Sequence, residues 1–341
     1  MRGPTIADVA RRAGVSKGLV SFALNNRPGV ADGTRRRILE AADELGWQPS
    51  MRARSLSTNR AFALGLIIAR EPSVMSADAF FPMFIAGVES ELGPAGQALV
   101  LSIVPGEDAE LAAYRSLARD RRVDGVFITD LRADDPRIAL ATELGLPAVT
   151  LGRPDSTSPH PAVTLDDDPG IRAAVDHLVE LGHRRIAHVG GPDRMLHGTR
   201  RRESFAAALQ SAGLESTLSV STDFSAAEGA AATRHLLALD EPPTAIVYAN
   251  DHMAVAGLAV AQSAGVVVPR DLSITGFDGT EVGEHVYPAL TTVATDVVEW
   301  GRASARVLLQ LVTGEHPDDL ELPPARLVVR SSTAPAPHPA T

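Results

Sequence analysis

The 341-residue chain contains no cysteine, which excludes disulfides and thiolate-bound zinc or iron–sulfur centres. Lys17 is its only lysine, and no glycine-rich phosphate loop with its own lysine is present. No apolar run reaches the roughly eighteen residues that a membrane span needs. There is no charged-then-apolar leader either, because Met1 leads almost directly into a polar helix start at Thr5. These absences give a soluble, cytoplasmic chain for which neither cofactor nor metal is expected. With 45% hydrophobic and 22% charged residues, a chain of this length builds two or three compact units.

The formal charge of -10 hides an uneven distribution. Residues 1–60 carry eleven Lys and Arg against five Asp and Glu, a net of +6, while the remainder carries 21 against 37, a net of -16. A basic head can neutralise phosphates while an acidic body is repelled from a duplex.

Thr5-Ile-Ala-Asp8 has capping-box spacing, in which the Thr5 hydroxyl takes a free backbone N–H and Asp8 reaches back to the positive helix end. A helix is expected over 6–13, stopped by Gly14, and a second over 17–24, capped by Ser16. The turn of about three residues between them is helix-turn-helix spacing. Val9, Ala10 and Val15 then pack against Val20 and Leu24, leaving Lys17, Gly18, Ser21 and Phe22 on the face that meets base edges. A third helix, about 32–45, turns Ile38, Ala41, Ala42 and Leu45 inward and ends at Gly46. A bundle that binds no DNA fits this periodicity too, but not the basic charge and turn spacing.

From residue 64 onward, apolar runs at 64–69, 98–104, 125–128, 148–151, 186–189, 245–248 and 272–277 read as strands buried on both faces. Helical periodicity at 84–92, 171–181, 201–212 and 252–264 alternates with them, so the body is a parallel α/β structure large enough for two lobes. Ligands in such sheets sit beyond the carboxyl ends of strands. Asn250 and Asp278 fall at such ends, and Arg201 starts the helix that contains Phe205. Carboxylate, amide and guanidinium suit the hydroxyls of a sugar or the charge of a small anion, and Phe224 and Phe81 can stack on an apolar ligand face. Asn250 also fits a plain helix cap, and Phe81 a core position.

Several motifs run in one order through the chain: Thr5-Ile-Ala-Asp-Val-Ala-Arg-Arg-Ala-Gly-Val-Ser16, Val20-Ser21, Leu24-Asn-Asn26, Leu181-Gly-His-Arg-Arg-Ile-Ala-His-Val-Gly-Gly191, Pro243-Thr-Ala-Ile246, Asn250-Asp251, Val268-Pro269, Gly276-Phe-Asp278 and Leu290-Thr-Thr-Val293. Together they resemble the lactose/galactose-repressor (LacI/GalR) family over nearly the whole length. The resemblance implies an all-α helix-turn-helix head plus an α/β body of two Rossmann-like lobes, like those of periplasmic sugar-binding proteins, with three chain crossings. It implies a homodimeric transcriptional regulator, usually a repressor, of double-stranded operator DNA under control of a small effector, most often a sugar. DNA contact falls to Thr5, Ser16, Lys17, Gly18, Ser21, Phe22, Asn25 and Thr34. After Gln48-Pro49 the resemblance assigns 50–57 to a hinge that folds on the minor groove, with Ala53 and Arg54 close to DNA and Leu56 wedged between base steps. The resemblance assigns Arg201, Asn250 and Asp278 to the effector, with Phe81 and Phe224 expected beside them as stacking faces.

The expected division is a head over 1–48, a hinge over 49–61, a body over 62–334 and a disordered tail over 335–341. Within the body the N-lobe takes about 62–164 and 294–323, and the C-lobe about 165–293 and 324–334. Two positions depart from the family pattern. Phe22 stands where the family often has an arginine, and can touch a thymine methyl or pack against the head. Gly279 follows Asp278 where the family often has a second aspartate.

Other readings carry less. Gly14-Val-Ser16-Lys-Gly18 fits a hydrolase nucleophile motif, which needs a strand before the serine, whereas a helix precedes it here. His183 and His188 lack a third ligand at metal spacing and read as structural. Asp166-Asp-Asp168 stands before Pro169, making Asp168 a helix cap. A transport-type solute-binding protein accounts for the body but not for the basic head, and an enzyme carrying a DNA-binding head needs a catalytic constellation that the body lacks.

Overall fold

The computed structural model describes residues 4–24, 28–47, 55, 58, 60–71, 75 and 78–337. The described residues fall into two compact units, one ending at Phe62 and the other beginning at Ala63. In the first, α1 (Ile6–Ala13), α2 (Lys17–Leu24) and α3 (Asp32–Glu44) stand where the periodicity puts them. Asp8 accepts from the Thr5 backbone N–H at 2.9 Å and from the Thr5 hydroxyl at 2.6 Å, so the hydroxyl donates to the carboxylate. Gly14 ends α1 at φ 67°, a left-handed conformation open to glycine without a Cβ clash. Ser16 Oγ accepts from the Leu19 N–H at 3.2 Å, capping α2. Val9, Val20 and Ile38 are fully buried, with Val15, Leu24 and Leu45 packed around them.

The second unit holds two six-stranded sheets. The first contains β1 (Ala63–Ala69), β2 (Ala98–Val104), β3 (Gly125–Ile128), β4 (Ala148–Leu151), β5 (Ala162–Thr164) and β11 (Leu320–Glu321), in the order β11-β5-β4-β3-β1-β2. The second contains β6 (Ile186–Gly190), β7 (Ser219–Ser221), β8 (Ala245–Tyr248), β9 (Ser273–Asp278), β10 (Thr291–Ala294) and β12 (Arg326–Val328), in the order β12-β10-β9-β8-β6-β7. Every pairing is parallel except β10 with β12. The expected strands are all present, with one correction. β2 is an edge strand whose Leu101 and Ile103 are each 44% exposed, so it is not buried on both faces.

The chain passes between the lobes three times: after β5, after β10 and between β11 and β12. The first and third passages run side by side, joined by Leu322 N–H to Thr164 O at 2.8 Å and Ala325 N–H to Asp166 O at 2.9 Å. The tail also needs a correction. Ala336 N–H donates to Leu181 O at 2.8 Å, filling a carbonyl left free at the end of the helix Asp168–Glu180, so order extends past 335.

Asp251, fully buried at the start of the helix Asp251–Ser263, ties the second sheet to the loop after β9. Its carboxylate accepts from Thr280 N–H at 2.7 Å, Thr280 Oγ1 at 2.8 Å and Thr292 Oγ1 at 2.5 Å. Only glycine fits beneath it, since a Cβ on Gly276 stands 2.2 Å from Asp251 Oδ1. Gly276→Ala is therefore expected to cost the body about 1–3 kcal/mol, seen as a lower urea midpoint at unchanged m value. A midpoint equal to wild type refutes the close packing.

Candidate functional site

Strands of both lobes point their carboxyl ends at a cavity of about 570 Å³ between them. From the first lobe come Arg70, next after β1, and Asp130, two residues past β3. The second lobe contributes Asn250 after β8 and Asp278 at the end of β9. Backbone contacts close the lobes beside the cavity: Leu196 N–H donates to Leu131 O at 2.8 Å, and Arg132 bridges to Met195. Across the cleft, Arg200 Nη2 also donates to Arg153 O at 2.6 Å.

The two buried guanidiniums are already paired. Arg70 donates through Nε and Nη2 to Asp130 at 2.7 and 2.8 Å, and through Nη1 to Asp78 at 2.6 Å. Burial opposes the Arg70 charge, but these carboxylates keep it protonated. Arg201 donates through Nε to Asp167 and through Nη1 to Ala249 O, both at 2.7 Å, with its Cζ 3.6 Å from the centroid of the Phe277 ring. Asp278 has no hydrogen-bond partner among the described residues. Burial pushes its pKa well above the usual carboxylate range, reinforced by the Asp251, Asp78 and Asp167 carboxylates and opposed by Arg201. His197 lies flat on Phe224, ring centroids 5.2 Å apart. Its pKa is pushed down to about 3, chiefly by burial.

Of the five residues expected at the effector, Arg201, Phe224, Asn250 and Asp278 line this cavity, and Phe81 does not. Phe81 is completely buried in the first lobe's core, and its neighbour Phe80 lines the cavity instead. Phe224 lines it with only 5% of its surface exposed, its ring covered by His197. Asn250 spends its amide internally, accepting from Met253 N–H at 2.8 Å and donating to Phe224 O at 3.0 Å, so it is a helix cap as well as a wall residue. Arg201 lies inside the helix Leu196–Ser211 rather than at its start. Asp168 is the first helical residue and pairs with Arg172 at 2.6 Å, the cap position being Asp167. Sequence reasoning missed Arg70, Asp78, Asp130, Asp167, His197 and Trp300. The strand-end rule applied to β1 and β3 points to Arg70 and Asp130. Helical positions such as His197 and Trp300 carry no comparable local signal.

His183 and His188 are buried and bound within the second lobe, His183 to Thr244 and Ser273, His188 to Val247 O. Among the described residues no group of three acidic or histidine side chains is placed to hold a metal, and no helix is long and apolar enough to cross a membrane.

In the head, Lys17, Gly18 and Phe22 are exposed on one side of α2, Phe22 by 43%. Ser21 is half-buried between them, Thr5 and Ser16 are exposed at helix starts, and Thr34 is half-buried in the first turn of α3. Asn25, Ala53, Arg54 and Leu56 lie outside the described residues.

A basic helix-turn-helix unit and a two-lobed α/β unit with a polar cavity between its lobes define a class, DNA-binding regulators that carry a small-molecule site. A family model described as bacterial regulatory proteins, lacI family, matches residues 5–50, and one for a periplasmic binding protein-like domain matches 175–333. The chain is 35% identical to the HTH-type transcriptional regulator CelR of Thermobifida fusca, over 97% of this chain and 96% of that protein. The solved structure of a transcriptional regulator CelR–cellobiose complex is similar at 33% identity and TM-score 0.74, covering 96% of this chain and 99% of that one. The Lac repressor dimer bound to operator and the anti-inducer ONPF is similar at 29% identity and TM-score 0.83, covering 98% and 100%. The chain belongs to the lacI family and is a DNA-binding transcriptional regulator.

The depressed pKa of His197 has a measurable consequence. Its folded value of about 3 lies below its ordinary 6.5, so between these values the unfolded chain binds more protons and stability falls as pH falls. From pH 7 to pH 5 the loss is about 2 kcal/mol. Asp251 and Asp278, whose pKa values are raised, act with the opposite sign. The comparison is therefore between wild type and His197→Gln, the variant being expected to lose about 2 kcal/mol less over that interval in urea unfolding. Equal losses refute the assignment.

Proposed function

We propose that this regulator acts as a homodimer on a near-palindromic operator, as a repressor, and that a sugar bound in the interlobe cavity sets its operator affinity. The carrying observation is the cavity itself, walled by fixed carboxylates, guanidiniums and aromatic rings from both lobes. The cellobiose complex of the CelR relative and the operator-bound Lac repressor dimer support the same reading. A transport-type solute-binding protein leaves the head without a role. The protein is cytoplasmic, has no catalytic activity of its own and uses no cofactor.

In this reading the head is 1–48, the hinge 49–61 and the body 62–334. Thr5, Ser16, Lys17, Gly18, Ser21, Phe22, Asn25 and Thr34 contact DNA, and the hinge adds Ala53, Arg54 and the wedge Leu56. Arg201, Phe224, Asn250 and Asp278 serve the effector. An effector works only through its differential affinity for two lobe arrangements, so whatever changes closure changes the hinge.

A gel shift with DNA from upstream of the protein's own gene, run with and without sugars, is expected to give a complex that one of them alters. Failure to shift under any condition counts against the operator reading. Phe22→Arg is expected to change the preferred half-site in a binding-site selection, and an unchanged motif removes Phe22 from base readout. Leu56→Gly is expected to weaken operator binding by about tenfold or more while leaving effector affinity alone. Equal operator affinity for the variant and wild type sinks the wedge.

A further inference from the structure

The side chains around the cavity bear on the charge and length of what it holds. A phosphate or carboxylate is best received by a guanidinium with two parallel N–H groups free. Arg70 already spends its Nε/Nη2 edge on Asp130 and a further N–H of Nη1 on Asp78. Arg201 has its Nε on Asp167 and its Nη1 on a backbone carbonyl. At the rim, Arg153 and Arg172 pair with Asp319 and Asp168, and Arg200 holds the Arg153 carbonyl. Among the described residues lining the cavity, eight carboxylates outnumber five guanidiniums, so an arriving anion meets net repulsion, and the guanidiniums of Arg70 and Arg201 already hold carboxylates.

An anion that displaced Asp130 from Arg70 or Asp167 from Arg201 would strand a buried carboxylate without its partner. A hydroxyl avoids that exchange. It donates to the unpartnered carboxyl of Asp278, or to lone pairs left on Asp130 and Asp167, and displaces nothing.

Length follows from volume and from the rings. At about 30 Å³ per liquid water the cavity's 570 Å³ equals roughly nineteen waters, while one hexose displaces only about six. Aromatic surface is supplied from both lobes. Phe80 and Trp300 meet edge to face, centroids 5.9 Å apart, on the first, and His197 lies on Phe224 in the second. Trp300 is steadied by its Nε1–H, which donates to Val163 O at 2.9 Å.

We infer that the cavity selects an uncharged carbohydrate of at least two sugar rings and rejects phosphorylated or carboxylated sugars. This rests on the reading of the cavity as the effector site.

The test is calorimetric titration of the full chain with neutral di- and trisaccharides of glucose, galactose, mannose and xylose, the parent monosaccharides, and the hexose 6-phosphates. At least one neutral di- or trisaccharide is expected to bind about tenfold or more tightly than its monosaccharide, with no measurable hexose 6-phosphate binding. Trp300→Leu and, separately, Phe80→Leu are expected to weaken that oligosaccharide about fivefold or more while changing monosaccharide affinity less than about twofold. A hexose 6-phosphate or monosaccharide that binds as tightly as any oligosaccharide overturns the inference and leaves effector control standing. Absence of binding by every neutral oligosaccharide also overturns it. If an oligosaccharide binds as expected but leaves the operator complex unchanged in the gel shift, effector control fails and the ligand class stands.

Discussion

A guanidinium taken out of water has to be matched by carboxylates, and the pairing of Arg70 with Asp130 and Asp78 is the constraint on which the cavity depends. Its partners come from different segments, Asp130 from the loop after β3 and Asp78 from just before the helix Phe80–Leu92. The pair therefore fixes three parts of the first lobe's rim at once. Arg137 extends this network inward, donating to the Asp130 carbonyl at 3.0 Å while it pairs with Glu110 and Asp135. Arg201 does the same in the second lobe, where Asp167 belongs to the first passage between lobes. The wall is thus ordered by the protein's own charges, and a ligand can bind without first organising it.

The same economy governs closure. Each lobe has its own buried apolar clusters, whereas the cleft is bridged by polar contacts such as Leu196 to Leu131 and Arg200 to Arg153. In the proposed switch, a rotation of one lobe against the other would break such contacts and leave both cores intact, which is the energetic requirement for two arrangements of similar free energy. The hydrogen-bonded pair of passages, Leu322 with Thr164 and Ala325 with Asp166, would serve such a rotation as its axis. Asp166 and Asp167 lie in this pair and also line the cavity, so a ligand that engages them acts directly on the joint.

Legibility in the sequence followed length and locality. Long apolar runs such as Ala63–Ala69 declared themselves, because a buried parallel strand needs apolar residues on both faces, whereas Ala98–Val104 declared a strand but not its place at the sheet edge. Of the strands of two to four residues, β3, β4 and β8 stood out as largely apolar runs, whereas β5, β7, β10, β11 and β12 were too short and too mixed for any pattern to emerge. The head was the most readable part, since capping, glycine stops and inward spacing are all local. Membership of the cavity was readable locally where a polar residue ended or closely followed a strand, as Asp278 and Asn250 do, while Arg201 and Phe224 carry no such strand-end signal. On the helix Phe80–Leu92 the apolar neighbours Phe80 and Phe81 are indistinguishable by type, and packing against Phe84 and Trp300 decides which one faces the cavity.

Backbone strain was the least readable property, and it marks the site most sharply. Among the described residues, six that are not glycine have positive φ, and three of them, Asp130 at 50°, Phe224 at 71° and Asp278 at 107°, line the cavity. Such conformations persist only where neighbours over-determine them. Each has its restraint: Arg70 and Arg137 on Asp130, the Asn250 amide on the Phe224 carbonyl, and the Asp251 carboxylate on Thr280, two residues beyond Asp278. Asn250 thus matters less for the hydrogen bonds it can offer a ligand than for the backbone it holds. Asp278 is the reverse, a restrained residue whose own carboxyl is left unused. A carboxyl kept unpartnered at a strained strand end has little value to the fold, which is why the proposed effector site puts a ligand hydroxyl against it.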